Sequence, residues 1–290
     1  MKLEIRALSK RYGNGVQALD GVSLSIEPGM FGLLGPNGAG KSTLMRTLAT
    51  LQTADSGSAM LGDIDILRDP ARVREVLGYL PQDFGVYPKV TAYDLLDHLA
   101  RLKGCVDAKS RRETVDALLQ RVNLYDVRKQ RLGGFSGGMR QRFGIAQALI
   151  GAPKLIIVDE PTAGLDPEER VRFHNLLADI AEDVVVLLST HIVSDVTDLC
   201  SRVAIINKGC VLLTGKPSEL VAGLAGRIWL KTVSKAEVAA LKAALPVIST
   251  RLSAGNTLVR AYSESQLAGF EPAEADLEDV YFSAIAGRLQ

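Results

Sequence analysis

Cysteine is scarce in this sequence, which has only Cys105, Cys200 and Cys210 in 290 residues and no C-x-x-C spacing. An odd number without that spacing argues against a disulfide framework or a zinc site and favours a reducing compartment. Long apolar runs are also missing, and the longest are short segments such as VVVLL at 184–188. Because a membrane span needs about 20 apolar residues, we expect that this chain does not cross a bilayer alone.

A strong charge of either sign is absent as well. Lysine and arginine total 34 and aspartate and glutamate total 33, so no strong field draws the chain to nucleic acid or acidic lipid. The opening residues, MKLEIRALSKRYG, are charged and alternating and lack the apolar core of a secretory signal. Hydrophobic residues make up 47% of the sequence, which is enough for a sizeable core. The length of 290 residues predicts one large domain and one small domain.

Buried strands alternate with helices along much of the chain. The apolar segments KLIIVDEP and DVVVLLSTH flank the amphipathic segment EERVRFHNLLADIAE, which predicts an α/β fold with a mostly parallel sheet covered on both faces. Alternating segments near the start predict an N-terminal antiparallel β subdomain, and helical spacing over about 88–150 predicts a helical insert. After a boundary near 219–226 we expect a small α/β extension, which gives domains 1–220 and 221–290.

The stretch LLGPNGAGKSTLMRTLAT fits the pattern G-x-x-x-x-G-K-[ST] through Gly35, Gly40, Lys41 and Ser42. Glycines let successive backbone N–H groups face one anion, and the following helix adds its positive N-terminal end. Lys41 would reach the β- and γ-phosphates, the Ser42 hydroxyl would bind Mg²⁺, and Thr43 would add a contact. A merely glycine-rich turn is the alternative, but the strand before and the helix after favour a nucleotide site.

Two carboxylates end the buried segment LIIVDEP. Asp159 would hold Mg²⁺ through its water shell, and Glu160 would act as general base for the water that attacks the γ-phosphate. Such an in-line attack needs a positioned water, a metal ion and little else from the protein. The alternative is an acidic pair that caps the next helix.

In the segment FSGGMRQRFGIAQAL, Ser136, Gly137 and Gly138 precede a helix predicted from about Met139, which gives a second helix start that could bind an anion. One chain that binds one ATP has no use for a second such site. Two chains that face each other do, because each can cover the nucleotide of the other. A simple N-cap by Ser136 is the alternative interpretation.

Over about residues 2–220 the chain resembles ATP-binding cassette (ABC) ATPases, the nucleotide-binding subunits of ABC transporters. GPNGAGKST matches the Walker A motif, LIIVDEP matches Walker B, and FSGGM matches the signature LSGGQ with departures at Phe135 and Met139. YLPQD, AGLD, STH and KRYG match the Q-loop, the D-loop, the switch histidine and the adenine-stacking segment. The resemblance implies catalytic residues Glu160, His191 and Gln82; ATP contacts from Tyr12, Gly35, Asn37, Gly38, Gly40, Lys41, Ser42, Thr43, Ser136, Gly138 and Asp166; and Mg²⁺ contacts from Ser42, Gln82 and Asp159.

The resemblance also implies a role for each outlying residue. Gln82 would contact Mg²⁺ or the water and touch a membrane partner, His191 would hydrogen-bond to the γ-phosphate and Glu160, and Asp166 would act across the dimer interface. Simpler interpretations stay open: a solvated strand end for Gln82, a helix N-cap for Asp166, a core histidine for His191 and a surface aromatic for Tyr12.

The resemblance implies that the protein is an ATPase that depends on ATP and Mg²⁺. It also implies that the protein forms a homodimer of two cassettes and works with a separate integral membrane permease. It would lie on the cytoplasmic face of the membrane, with no nucleic acid partner. The C-terminal segment LEDVYFSAIAG is similar to tails of exporter subunits, so we expect export.

Non-transport members of the same family are the competing class. Repair ATPases carry a long coiled-coil insert, for which the interval from Lys41 to Ser136 leaves no room, and translation factors carry two cassettes on one chain. A small-molecule P-loop kinase would not need the SGG turn or His191.

Overall fold

The structure is a computed structural model, and it describes residues 1–289 except positions 83, 86, 163 and 254. The strands are β1 (Leu3–Arg11), β2 (Gln17–Ile26), β3 (Gly29–Leu34), β4 (Ser56–Leu61), β5 (Ile64–Asp65), β6 (Leu77–Leu80), β7 (Leu155–Asp159), β8 (Val185–Thr190), β9 (Arg202–Asn207), β10 (Cys210–Gly215), β11 (Ile228–Val233), β12 (Val247–Ser253), β13 (Asn256–Tyr262) and β14 (Glu271–Pro272). The helices are α1 (Lys41–Leu48), α2 (Pro70–Val76), α3 (Ala92–Leu102), α4 (Ala108–Arg121), α5 (Gly137–Ala148), α6 (Pro167–Ile180), α7 (Val193–Leu199), α8 (Pro217–Ala222), α9 (Val238–Ala244) and α10 (Leu277–Ile285).

A six-stranded sheet forms the centre of the molecule, in the order β10-β9-β3-β8-β7-β6. Its strands are parallel except β10, which forms a hairpin with β9. Strands β7 and β8 are buried along their whole length, as expected for strands covered on both faces. Lys208 and Gly209 form the hairpin turn with positive φ angles of 48° and 80°.

The N-terminal sheet is antiparallel, in the order β2-β1-β4-β5. Alternate residues of β1, including Leu3 and Ile5, point into a core that also contains Leu44 and Leu48 of α1. The period-two pattern thus gives this sheet one buried face, which packs on the helix that follows the glycine loop. Together the two sheets confirm the predicted α/β class with an antiparallel β subdomain.

Helices α3, α4 and α5 form the predicted helical insert. Thr91 caps α3 and Asp107 caps α4 with side-chain acceptors for backbone N–H groups of their first turns. Leu96 and Phe143 are fully buried in the main core. Positions 83 and 86, in the segment that leads into the insert, lie outside the described residues. None of the helices in the described ranges combines the length and hydropathy of a membrane-spanning segment.

The C-terminal part contains an antiparallel sheet, in the order β12-β13-β11-β14, together with α9 and α10. Leu277 and Val280 of α10 belong to the same apolar core as Val196 of α7 and Val203 of β9. Helix α8 runs across the boundary that the sequence predicts. The division at 220 and 221 stays a prediction, because a shared core joins residues on both sides of it.

Candidate nucleotide-binding site

Four predicted functional segments leave the central sheet at one edge. The glycine loop follows β3, His191 follows β8, Glu160 follows β7, and Gln82 lies two residues beyond β6. The carboxyl ends of neighbouring parallel strands meet at the same edge, so the topology brings these segments together. Residues distant in the sequence thereby lie along one edge of the sheet.

The glycine loop is held in a shape that side chains would disturb. A Cβ atom at Gly35 would collide with the backbone carbonyl of Ile206, and Gly40 has a φ of 108°, which favours glycine. Asn37 and Gly38 lie exposed at the tip of the loop. The backbone therefore turns directly into the N-terminus of α1, as an anion site requires.

The ammonium group of Lys41 lies almost fully buried inside this loop. Its Nζ donates to the carbonyl oxygen of Gly35 at 2.7 Å and of Pro36 at 3.2 Å, and it lies 3.6 Å from Oε1 of Glu160. Burial lowers the pKa of Lys41, and the nearby Glu160 carboxylate offsets part of that effect. The cation is thus desolvated and already positioned beside the loop.

Glu160 links the glycine loop to the end of β8. Its Oε2 lies 2.9 Å from Nδ1 of His191, while its backbone N–H donates to the carbonyl of Ser189 at 2.9 Å. Glu160 has a φ of 46°, a strained conformation for a residue with a side chain and one often found at functional sites. This conformation directs the carboxylate between Lys41 and His191.

Asp159 has a buried carboxylate oxygen that accepts no hydrogen bond from the described residues and could bind a metal ion. The residue is only 4% exposed, and its Oδ1 has no partner within the part of the chain that the structure describes. Burial raises the pKa of Asp159, while the Ser189 and Ser42 hydroxyls lower it in part. A buried carboxylate oxygen beside the exposed Ser42 hydroxyl suits a hard cation, so the residues fit Mg²⁺.

This fit does not require a cage of acidic residues. Among the described residues no group of three or more His, Cys, Asp or Glu side chains could hold a metal ion. Magnesium is commonly held by one or two carboxylates together with substrate phosphates and waters. Ser42 and Asp159, with the predicted ligand Gln82, are oxygen ligands of the kind that such a site uses.

We expect Asp159→Asn to stabilise the nucleotide-free protein at pH 7 and so to raise its unfolding midpoint. Because the folded state raises the pKa of this carboxyl, ionisation costs folding free energy as the pH rises above the usual range of an aspartate. The amide removes that cost, and it should also remove the Mg²⁺-dependent part of stabilisation by ATP. Thermal unfolding at pH 7, with and without MgATP, measures both effects.

Asp179→Asn is the matched control, because Asp179 is exposed on α6. It should leave both the unfolding midpoint and the MgATP effect unchanged. An Asp159→Asn protein that is less stable than the unaltered chain, yet gains the full MgATP effect, would contradict the assignment.

Tyr12 and Gln82 flank this group of residues. The Tyr12 hydroxyl lies 3.2 Å from Thr43 Oγ1 and 3.2 Å from Gln52 Oε1, so the ring lies beside the start of α1. The sheet register pairs Leu80 of β6 with Val158 of β7. Gln82 and Glu160 each follow this pair by two residues along the chain. The Gln82 side chain is exposed.

Ser136 and Asp166 are the N-caps of α5 and α6, and Gly138 lies in the first turn of α5. Ser136 caps α5 by accepting from the backbone N–H of Met139 at 3.2 Å, and α5 begins at Gly137, earlier than the sequence predicts. Asp166 caps α6 by accepting from the Glu169 N–H at 2.8 Å. Both capping side chains are exposed residues. Within the described ranges the simpler N-cap interpretation therefore accounts for the contacts of both residues, although their exposure leaves room for a second molecule.

Ser189 is a residue that the sequence reasoning did not single out. It is fully buried, it pairs with Asp159 in the sheet register, and its Oγ lacks a partner among the described residues. Its position inside the segment STH is the signal that could have identified it. A hydroxyl here can help to hold the Asp159 carboxylate.

A family model described as ABC transporter matches residues 19–163, which include the glycine loop and both carboxylates. The chain is 36% identical over 228 residues to the daunorubicin/doxorubicin resistance ATP-binding protein DrrA of Streptomyces peucetius, covering 78% of this chain and 68% of DrrA. It is 35% identical over 232 residues to the probable multidrug ABC transporter ATP-binding protein YbhF of Escherichia coli, covering 79% of this chain and 40% of YbhF. The chain thus spans less than half the length of YbhF.

Solved structures of similar shape include nucleotide-bound cassettes. The dimeric structure of a post-hydrolysis state of the ATP-binding cassette MJ0796, bound to ADP and Pi, is 25% identical to this chain, with a TM-score of 0.67. The match covers 74% of this chain and 98% of that one.

Proposed function

The chain belongs to the ABC transporter family, and from this premise we propose that it is an ATP-hydrolysing subunit that energises export through a separate membrane subunit. The observation that carries the proposal is the group formed by Lys41, Glu160 and His191 beside the glycine loop. A cation for phosphate, a carboxylate base and a histidine that contacts this base are groups that can serve phosphoryl transfer to water together with a metal ion.

In the proposed reaction, the glycine loop and Lys41 bind the triphosphate of ATP. Glu160 accepts a proton from the attacking water, and His191 orients the carboxylate through the contact at 2.9 Å. Ser42 and Asp159 would hold Mg²⁺, with Gln82 as a further oxygen donor. When bound, that ion neutralises charge on the β- and γ-phosphates.

The proposed working unit is a homodimer with ATP between the two chains. Ser136 and Asp166 are exposed residues at the starts of helices, and within the described residues their side chains make no hydrogen bond to the glycine loop of their own chain. In a facing second copy, Ser136 and Gly138 would meet the γ-phosphate opposite Lys41, as the N-terminus of α5 suits an anion. The dimeric form of the similar cassette MJ0796 supports this arrangement.

In this scheme ATP acts as a removable link between the two copies. Hydrolysis removes charge-assisted contacts on both sides of the γ-phosphate, and the copies can then separate. Only the difference in ATP affinity between the closed and open states can drive closure. Moving that equilibrium from 1:99 to 99:1 needs about 5.5 kcal/mol, which two buried triphosphates with several donors each can supply.

The proposed membrane partner would bind beside the helical insert. A groove of about 730 Å³ lies where α3 meets α1, α2 and β6, and it is lined by Leu51, Leu99, Leu102 and Tyr79 among others. Leu51 is 57% exposed and Leu102 is 71% exposed, an apolar surface suited to a helix of a partner. Through this contact the chain would act at the cytoplasmic face of a membrane.

Export is the proposed direction, of a drug, lipid or polysaccharide. The names of DrrA and YbhF refer to drug resistance and multidrug transport, which favours an exporter here. The non-transport members of the family are not favoured, because the relatives with similar sequences carry transporter names. Co-purification with an integral membrane protein tests this choice.

A pair of helix-cap variants tests the shared site. We expect Ser136→Ala and Thr91→Ala each to lower the free energy of unfolding by about 1 kcal/mol, because each removes an N-cap acceptor. Only Ser136→Ala should also slow ATP hydrolysis, by roughly 10- to 100-fold, through the loss of one charge-assisted hydrogen bond. Chemical denaturation and steady-state hydrolysis measure the two effects.

The comparison of Ser136→Ala with Thr91→Ala separates a role in ATP hydrolysis from the loss of a helix cap. Equal, small effects of both variants on hydrolysis would mean that Ser136 serves only as a cap. A chain whose rate per molecule does not depend on protein concentration, down to the monomeric range, would likewise refute the shared site.

A further inference from the structure

The carboxylate of Asp195 lies at the centre of a buried hydrogen-bond network next to the site. Asp195 is on α7 and is 0% exposed. Its Oδ2 accepts from Thr162 Oγ1 at 2.6 Å and from Thr190 Oγ1 at 3.3 Å. Its Oδ1 accepts from Arg170 Nε at 2.8 Å and lies 3.1 Å from His174 Nε2.

Within the described part of the chain, every hydrogen-bond partner of Asp195 lies in or next to a segment that carries a predicted functional residue. Thr162 comes two residues after Glu160, and Thr190 directly precedes His191. Arg170 and His174 lie on α6, the helix that Asp166 caps. One carboxylate therefore joins the end of β7, the end of β8 and α6.

We infer that Asp195 is a positioning residue that holds the Glu160–His191 pair in register with the start of α6. The inference rests on the proposed function, because it assigns Asp195 a role in ATP hydrolysis. Asp166 would face the second copy of the chain in the proposed dimer. Asp195 would then connect closure of the dimer to the placement of the base.

The negative charge of Asp195 favours a positioning role over a role in packing alone. Apolar side chains of similar volume often stabilise a core as well as a buried ion pair does, so stability alone does not require a carboxylate here. Hydrogen bonds fix direction as well as distance, and a fully paired buried network makes its surroundings rigid. Thr190 also accepts from the backbone N–H of Ile192 at 2.9 Å, which fixes the backbone on either side of His191.

The first test is kinetic and uses Asp195→Asn. We expect kcat for ATP hydrolysis to fall by about 10- to 100-fold, the effect of a base displaced by a fraction of an ångström to one ångström. The affinity for ATP should change by less than about 3-fold, because none of the hydrogen bonds that Asp195 makes within the described residues involves the glycine loop. Asp198→Asn, an exposed change on the same helix, should alter neither quantity.

A background variant separates positioning from general loss of stability. If Asp195 acts through His191, the loss caused by Asp195→Asn should largely disappear in a His191→Ala protein, since residues that act as a unit are not additive. Equal losses in both backgrounds, or a loss that falls on ATP affinity alone, would overturn the inference.

The second test does not depend on turnover. The chain has three histidines, so ¹⁵N-labelled histidine reports on His98, His174 and His191 alone. Asp195→Asn should shift the ring ¹⁵N signals of His174 and His191 and leave the signal of His98 unchanged. Asp198→Asn should shift none of the three signals. An unshifted His191 signal would reduce Asp195 to a local partner of α6 and overturn the inference.

Thr162→Val is the second variant, in case Asp195→Asn fails to fold. It removes a single hydrogen bond to Asp195 and keeps the side-chain volume, so we expect a 2- to 10-fold lower kcat and a smaller shift of His191. Unchanged values of both would count against the inference. An unaltered chain that does not hydrolyse ATP would refute the proposed function, while the histidine spectra would still decide the positioning role.

Discussion

Glu160→Gln should bind ATP with nearly unchanged affinity and hydrolyse it about 10²- to 10⁴-fold more slowly, the usual contribution of a general base. Glutamine keeps the shape of the side chain but cannot accept the proton of the attacking water. Loss of the negative charge also removes repulsion between the carboxylate and the triphosphate. ATP should therefore persist between two chains, and dimers should accumulate.

Single-turnover hydrolysis and size-exclusion chromatography with MgATP measure the two consequences. Glu182→Gln is the matched control, because Glu182 is exposed and precedes β8 at the opposite edge of the sheet. It should hydrolyse ATP like the unaltered chain and form no lasting dimer. Normal turnover in Glu160→Gln would show that the base lies elsewhere, and the contact between Glu160 and His191 would need another explanation.

Lys41→Ala should weaken ATP binding by roughly 10- to 150-fold. A hydrogen bond to a charged group contributes about 1.5–3 kcal/mol, and 1.4 kcal/mol corresponds to a tenfold change in affinity. The side chain is 5% exposed and is held by two loop carbonyls, so water cannot easily replace it. Isothermal titration with ATP, with and without Mg²⁺, measures the loss.

Lys154→Ala removes an exposed lysine that precedes β7, at the edge of the sheet away from the site. Its ATP affinity should equal that of the unaltered chain, which excludes a general effect of net charge. Unchanged affinity in Lys41→Ala would refute a phosphate role for this lysine. Since alanine also removes a buried cation next to Glu160, the unfolding midpoint should be recorded on the same samples.

The local parts of the site could be predicted because their chemistry is local. A phosphate cradle needs consecutive backbone N–H groups and a helix start, so Gly35 to Ser42 appear as one short pattern in the sequence. The Asp159 and Glu160 pair is equally recognisable, because a fully apolar run of residues ends in two carboxylates. The alternation of buried strands and helices likewise predicts the α/β class, which the structure confirms.

The extent of each element was less predictable. Helix α5 begins at Gly137 because Ser136 caps it directly. Helix α8 forms across the predicted domain boundary, where Pro217 supplies a suitable first residue. The packing of Val280 against the main core depends on apolar residues far away in the chain. No local pattern encodes which surface a helix will meet.

The glycine loop, the acidic strand end, the serine–glycine helix start and the order in which they occur can all be read from the sequence. The approach of Glu160 to within hydrogen-bonding distance of His191, and the joining of three segments by Asp195, emerge from the folded chain. They do so because parallel strands distant in the sequence end at one edge of the sheet, where side-chain hydrogen bonds form across strands. Contacts of that kind depend on strand order and register, which composition and periodicity leave open.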